Sequence, residues 1–139
     1  MARKSVARTI QVVARVRSAV PAATLRRWAK AAAETLRLPS GDISIIVIGP
    51  SESQRLNKEY RGKDRPTNVL TFPAEKGSGE CGDILLCTSV IRREAKETKQ
   101  SVSVYMKFLI QHGCIHLLGL DHATEAEAKI WERYEKKLL

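Results

Sequence analysis

Apolar positions along this 139-residue chain recur at two different periods, and the switches between them mark out its elements. Ile10, Val12, Ala14 and Val16 alternate with Gln11, Val13, Arg15 and Arg17, which predicts a first strand within Arg8–Arg17. Pro21 suits a helix start, and Leu25, Trp28, Ala29, Ala32 and Leu36 then follow helical spacing up to the turn Leu38-Pro39-Ser40-Gly41. The β-branched run Ile43 to Ile48 reads as a central strand buried on both faces. Ser51 followed by Gln54 has the pattern of a capping box, opening a short helix to about Tyr60. Arg61 to Pro66 reads as a polar loop, Asn68 to Phe72 as a strand stopped by Pro73, and Ala74 to Gly82 as a glycine-rich loop. Asp83 to Cys87 is a fourth strand, and helices are expected near 89–98, 102–118 and 124–138. The order is four strands and five helices in one domain, residues 1–139, of α/β or α+β class.

Composition changes this picture in one respect. With 43% hydrophobic and 28% charged residues, and no apolar run near the roughly 20 residues of a membrane span, the chain is expected to be soluble. Its net charge of +9 is uneven, however: residues 1–40 hold nine Lys and Arg against the single acid Glu34. Such a basic segment suits a polyanionic partner, because Lys and Arg release the counterions condensed on phosphates. Three cysteines, Cys81, Cys87 and Cys114, give an odd count without a C-x-x-C pair. That points to a reducing compartment, with the cytoplasm as the expected location. The arginine-rich, acid-free start resembles a transit peptide, but removing it would delete the first strand.

The chemistry concentrates in His112-Gly113-Cys114-Ile115-His116-Leu117-Leu118-Gly119-Leu120-Asp121-His122, which contains all three histidines of the chain. His112 and His116, four apart, fall on one helix face. Gly119 allows the chain to leave the helix with positive φ, so that His122 returns to complete a triangle of nitrogens. Three neutral imidazoles with an open fourth position are the donor set of a catalytic zinc site, one ion per chain, although nickel or another first-row divalent metal also suits imidazole. Cys114, on the other side of the helix, belongs to the core.

The same histidine spacing occurs in the metzincin metalloproteases, which require a glutamate directly after the first histidine as general base. Here that position is Gly113, so peptide hydrolysis by that route is disfavoured. An uncancelled divalent charge instead favours an anion, and a phosphodiester gains negative charge in its transition state. A nearby arginine would hold such a phosphate bidentately.

Two segments together resemble one family, the YbeY endoribonucleases, also described as ribosomal RNA maturation factors. Leu56-Asn57-Lys58-Glu59-Tyr60-Arg61-Gly62-Lys63-Asp64-Arg65-Pro66-Thr67-Asn68-Val69-Leu70-Thr71-Phe72-Pro73 is similar to one family motif, and the histidine segment to the other, with Gly82-Asp83-Ile84 between them. Thr71 stands where serine is usual, and Leu120 where tyrosine is common. The resemblance implies an α+β fold with a small mixed sheet and a metal site in a basic cleft. It implies a zinc-dependent, single-strand-directed endoribonuclease acting in small-subunit (16S) rRNA maturation and ribosome quality control. Ribosomal RNA, the small subunit and its proteins would be its partners, with neither DNA nor membrane expected. It also implies His112, His116 and His122 as metal ligands and Arg61 as a cleft arginine needed for activity. Arg61 and His112 are therefore the expected catalytic residues, and Arg61 and Asn68 the expected substrate contacts. Thr67 and Asn68 also read as turn residues that orient their loop. Asp121 reads equally as a partner for an imidazole or as a helix N-terminal acid. The alternative function is a ribosome-associated RNA-binding factor with a structural zinc site and little or no nuclease activity.

Overall fold

A computed structural model describes residues 8–139. Four strands form a mixed sheet in the order β1-β2-β4-β3. They are β1 (Ile10–Ala14), β2 (Asp42–Ile48), β3 (Val69–Pro73) and β4 (Glu80–Cys87). The first three in spatial order run parallel, while β3 pairs antiparallel with β4 and closes one edge. The five helices are α1 (Ala22–Leu36), α2 (Pro50–Arg61), α3 (Thr88–Glu97), α4 (Val102–Leu117) and α5 (Glu125–Lys137). The α+β class and the small mixed sheet expected above are what the chain forms.

The larger core lies on one face of the sheet. Ile43, Ile45, Val47, Ile84 and Leu86 meet Leu25 and Ala29 of α1, Met106, Ile110, Cys114 and Ile115 of α4, and Trp131 of α5. Burying each such aliphatic side chain stabilises the fold by about 1.5–3 kcal/mol, so α4, apolar along most of its length, is held centrally. A smaller cluster of Ile48, Leu70, Leu85, Cys87 and Val90 occupies the opposite face. There Leu56 and Phe72 pack partly buried against it.

Four sequence-based expectations need correction. The first strand ends at Ala14 rather than Arg17, because Arg15 leaves the strand to pair with Glu52 of α2. Ser51 does not cap α2: Gly49 is the N-cap and Pro50 the first helical residue, since proline's fixed φ and missing N–H suit that position. Arg61 is the last residue of α2 rather than the start of a loop. β4 begins at Glu80, taking the end of the expected glycine-rich loop into the sheet.

Two of the N-terminal arginines also brace the fold. Arg8 donates to the carbonyls of Leu38 (3.1 Å) and Pro39 (2.7 Å), and Arg26 Nε donates to that of Ile10 (3.0 Å). These guanidiniums satisfy backbone acceptors just after α1 and in β1 while keeping their positive charge.

Candidate metal centre

Helical spacing sets His112 and His116 one turn apart on α4, and the exit from that helix brings in the third imidazole. Gly119, with φ of +83°, donates its N–H to the His116 carbonyl at 2.9 Å and turns the chain back. His122 follows, and the candidate ligand atoms of the three histidines all lie within 4.8 Å of one another. A tetrahedral zinc site, with Zn–N bonds of about 2.0–2.1 Å, needs nitrogens about 3.4 Å apart, a small inward movement from here. His116 Nδ1 faces the Leu120 carbonyl oxygen at 3.0 Å, a contact that places the proton on Nδ1 and leaves Nε2 as the ligand atom. The donor set thus fits a divalent first-row metal.

Burial and neighbouring charge favour the neutral form of His112 and His116. Burial, followed by the neighbouring His116 and His122, pushes His112 down to about 4, against a weaker opposing pull from Asp121. Burial also lowers His116, with His122 and Arg61 adding to the effect and the Leu120 carbonyl and Asp121 opposing it. Neutral imidazole is the form that binds metal.

Trp131 of α5, only 4% exposed, packs against all three imidazoles, with ring centroids 4.8, 4.6 and 4.7 Å from those of His112, His116 and His122. Sequence reading missed this contact. Its inward-facing spacing with Ala128 and Tyr134 marks Trp131 as a buried residue, but nothing in that spacing says what it is buried against.

A cleft of about 640 Å³ opens beside the histidines, between α2, β3 and the end of α4. Its lining includes Arg61, Asn68, His112, His116 and His122, so every expected site residue meets in one cavity. Tyr60, Thr67, Thr71 and Asp121 line it as well, and among the described lining residues Asp121 is the one carboxylate. Asp121 is no helix N-terminal acid, because Thr124 caps α5; its Oδ1 accepts from the His122 backbone N–H at 2.8 Å.

The Arg61 wall is tied down by polar side chains of α2. Ser53 Oγ donates to the Thr67 carbonyl (3.0 Å) and accepts from the Thr67 N–H (2.9 Å), while Asn57 Nδ2 donates to the Arg65 carbonyl (2.8 Å). Ser53 and Asn57 are both fully or almost fully buried, which explains polar residues on the inner face of a helix. Next along, Asn68 Nδ2 donates to Glu94 Oε1 (2.9 Å) and to the Tyr105 hydroxyl (3.1 Å), and its Oδ1 accepts from the Val69 N–H. Tyr105 in turn donates to Glu94 Oε1 at 2.7 Å.

Gly113 explains the absent glutamate in steric terms. A Cβ there would lie 3.1 Å from Ile84 Cγ2 and 3.2 Å from Thr71 Oγ1, so α4 rests directly on β3 and β4 at this residue. Cys114 is fully buried, and burial pushes its thiol up to about 12, which keeps it out of the metal chemistry.

Comparison with known proteins decides the family. The family described as Endoribonuclease YbeY matches residues 11–139. The chain belongs to the YbeY endoribonuclease family. An Endoribonuclease YbeY of Stenotrophomonas maltophilia (strain K279a) is 40% identical over 132 residues, covering 88% of this chain and 81% of that protein. One from Methylococcus capsulatus (strain ATCC 33009 / NCIMB 11132 / Bath) is 42% identical over 127 residues, covering 88% and 83%. In fold, the chain is similar to the solution structure of TM1509 from Thermotoga maritima, with a TM-score of 0.58 at 23% identity, covering 94% of this chain and 89% of that one. YbeY membership accounts for a nuclease role, and with it an RNA substrate. Among the described residues, no helix is long and apolar enough to cross a membrane.

Proposed function

We propose that this protein is a zinc-dependent endoribonuclease that cuts single-stranded ribosomal RNA in the cytoplasm, during small-subunit (16S) rRNA maturation and ribosome quality control. The small subunit and its proteins are its partners in this reading, and DNA is not a substrate. The observation that carries it is the shared cleft, in which Arg61 and three imidazoles line one cavity.

Each residue has work to do there. His112, His116 and His122 would hold a divalent ion without cancelling its charge, and nickel or another first-row metal fits the same donors. A metal held there would supply Lewis-acid chemistry and lower the pKa of water. Arg61 places a permanent cation where a phosphodiester gains charge in the transition state. Asp121, the one carboxylate among the described lining residues, is the candidate proton acceptor in the cleft, the role a glutamate at Gly113 would have filled. Asn68, with its amide donors directed to Glu94 and Tyr105, serves substrate binding by fixing the wall on which the strand lies.

The test compares metal-loaded wild type with Arg61→Ala and His112→Ala on an unpaired oligoribonucleotide. Cleavage should be lost in both variants, with circular dichroism unchanged. Full activity in rigorously purified His112→Ala protein refutes the reading. A metal-replete wild type that binds RNA but never cuts it points instead to an RNA-binding factor with a structural zinc site.

A further inference from the structure

From the geometry of Tyr60 and Phe72 we infer a nucleobase-stacking platform at the rim of the metal cleft, one that selects unpaired nucleotides. The inference rests on the ribonuclease reading and adds the part of the substrate that the metal and Arg61 leave ungripped.

Tyr60 is 60% exposed, against 47% for Phe108, the other large aromatic side chain open to solvent among the described residues. Isolated exposed aromatics are ordinary on a protein surface. Tyr60 is set apart by its surroundings. It precedes Arg61 in the last turn of α2, and both line the cavity that contains the three histidines. Its ring is also braced. Phe72 of β3 meets it edge-on, with centroids 5.0 Å apart and planes inclined at 65°. Phe72 in turn packs against the smaller core cluster beside Ile46 and Leu56. The strand therefore anchors Phe72, and Phe72 supports Tyr60, while much of Tyr60 stays open to the cleft.

The chemistry of the neighbours identifies the ligand. Arg61 and a divalent metal hold phosphate oxygens, which are identical in every nucleotide. An aromatic ring beside them offers a π surface to the base attached to the adjoining sugar. Every base has such a face, so stacking here is tolerant of sequence. In a duplex both faces are covered by neighbouring bases, so only an unpaired or splayed nucleotide can take the place. A tyrosine has just two side-chain torsions to immobilise, so a braced ring loses little entropy on binding.

The experiment uses metal-loaded full-length protein and two unpaired oligoribonucleotides, one intact and one abasic next to the cleaved phosphate. A third copy carries 2-aminopurine at that position, read by rapid mixing before turnover. Tyr60→Phe should keep kcat/KM within about twofold, because the ring face is retained. Tyr60→Ala should lower kcat/KM on the intact strand by roughly tenfold, the size of one lost base–aromatic stack. It should also abolish the 2-aminopurine quench and leave metal content unchanged. On the abasic strand, wild type and Tyr60→Ala should be equal. Equal losses on intact and abasic strands, or no loss on either, would overturn the platform while leaving the nuclease reading in place. A wild type that neither quenches the probe nor cuts the strand removes the nuclease reading itself, and the platform with it.

Discussion

The indole of Trp131 stands 4.6 Å, centroid to centroid, from the imidazole of His116, and a single ring from α5 thereby packs against all three candidate metal ligands. Trp131→Ala should lower stability by about 3–5 kcal/mol and weaken zinc binding, because the imidazoles lose the ring that packs them together. Trp131→Phe should recover most of the affinity. Titration calorimetry on samples shown to be folded checks this, and unchanged affinity in Trp131→Ala would show that the indole only fills space.

Acid should weaken the metal-free protein through His112. Its pKa in the fold, about 4, lies below its ordinary value of 6.5, so the unfolded chain binds the proton first as pH falls. The stability held by neutral His112 is complete above pH 6.5 and drains away as pH falls toward 4. Urea midpoints of chelator-treated protein should therefore drop across that interval. His112→Gln should flatten the slope, and an identical slope in that variant would assign the loss to other groups.

Asp121→Asn keeps a side-chain acceptor for the His122 N–H but removes the basicity. Cleavage should fall by about 10²–10⁴-fold, the usual contribution of a general base, with metal content intact. If the rate stays within a few-fold of wild type, the proton leaves by another path.

The polar staple on α2 predicts a separable defect. Asn57→Ala leaves the Arg65 carbonyl without its 2.8 Å donor, and should cost about 1–3 kcal/mol in urea unfolding. KM for RNA should rise because the Arg61 wall loosens, while zinc affinity stays as it was. A parallel fall in zinc affinity would mean that the two walls are coupled.

Gly113→Glu places the metzincin carboxylate in this motif, yet it should create no peptidase. The new side chain would start within 3.2 Å of Ile84 and Thr71, against the sheet. Thermal unfolding should shift down by well over the about 1–3 kcal/mol typical of overpacking, because a charge is buried as well. A variant as stable as wild type would disprove the close packing.

What the sequence disclosed follows how local each signal was. The β2 run, the His112–His116 turn and the positive φ at Gly119 depend on neighbours within a few residues, and all are legible from periodicity and glycine chemistry. The start of α2 was not, because Ser51 and Pro50 send competing signals and the proline's backbone restriction wins. Ser53 and Asn57 look like solvated helix positions until the partners at Thr67 and Arg65 are known. Arg61 has no periodic tie to the histidines at all; only resemblance to a family joined it to them. Trp131 shows the same limit, since burial was readable and its neighbours were not.

Gly119 has a consequence for the order of assembly. The three candidate ligands span eleven residues, His112 to His122, so the ring that a metal would close is small and its entropy cost low. A bound ion would tie the end of α4 to the turn that follows it. The opposite wall, with Arg61, arrives only once α2 and β3 have docked. The candidate donor set thus comes from one local stretch of chain and the cleft from the docking of distant elements, with Trp131 of α5 joining the two.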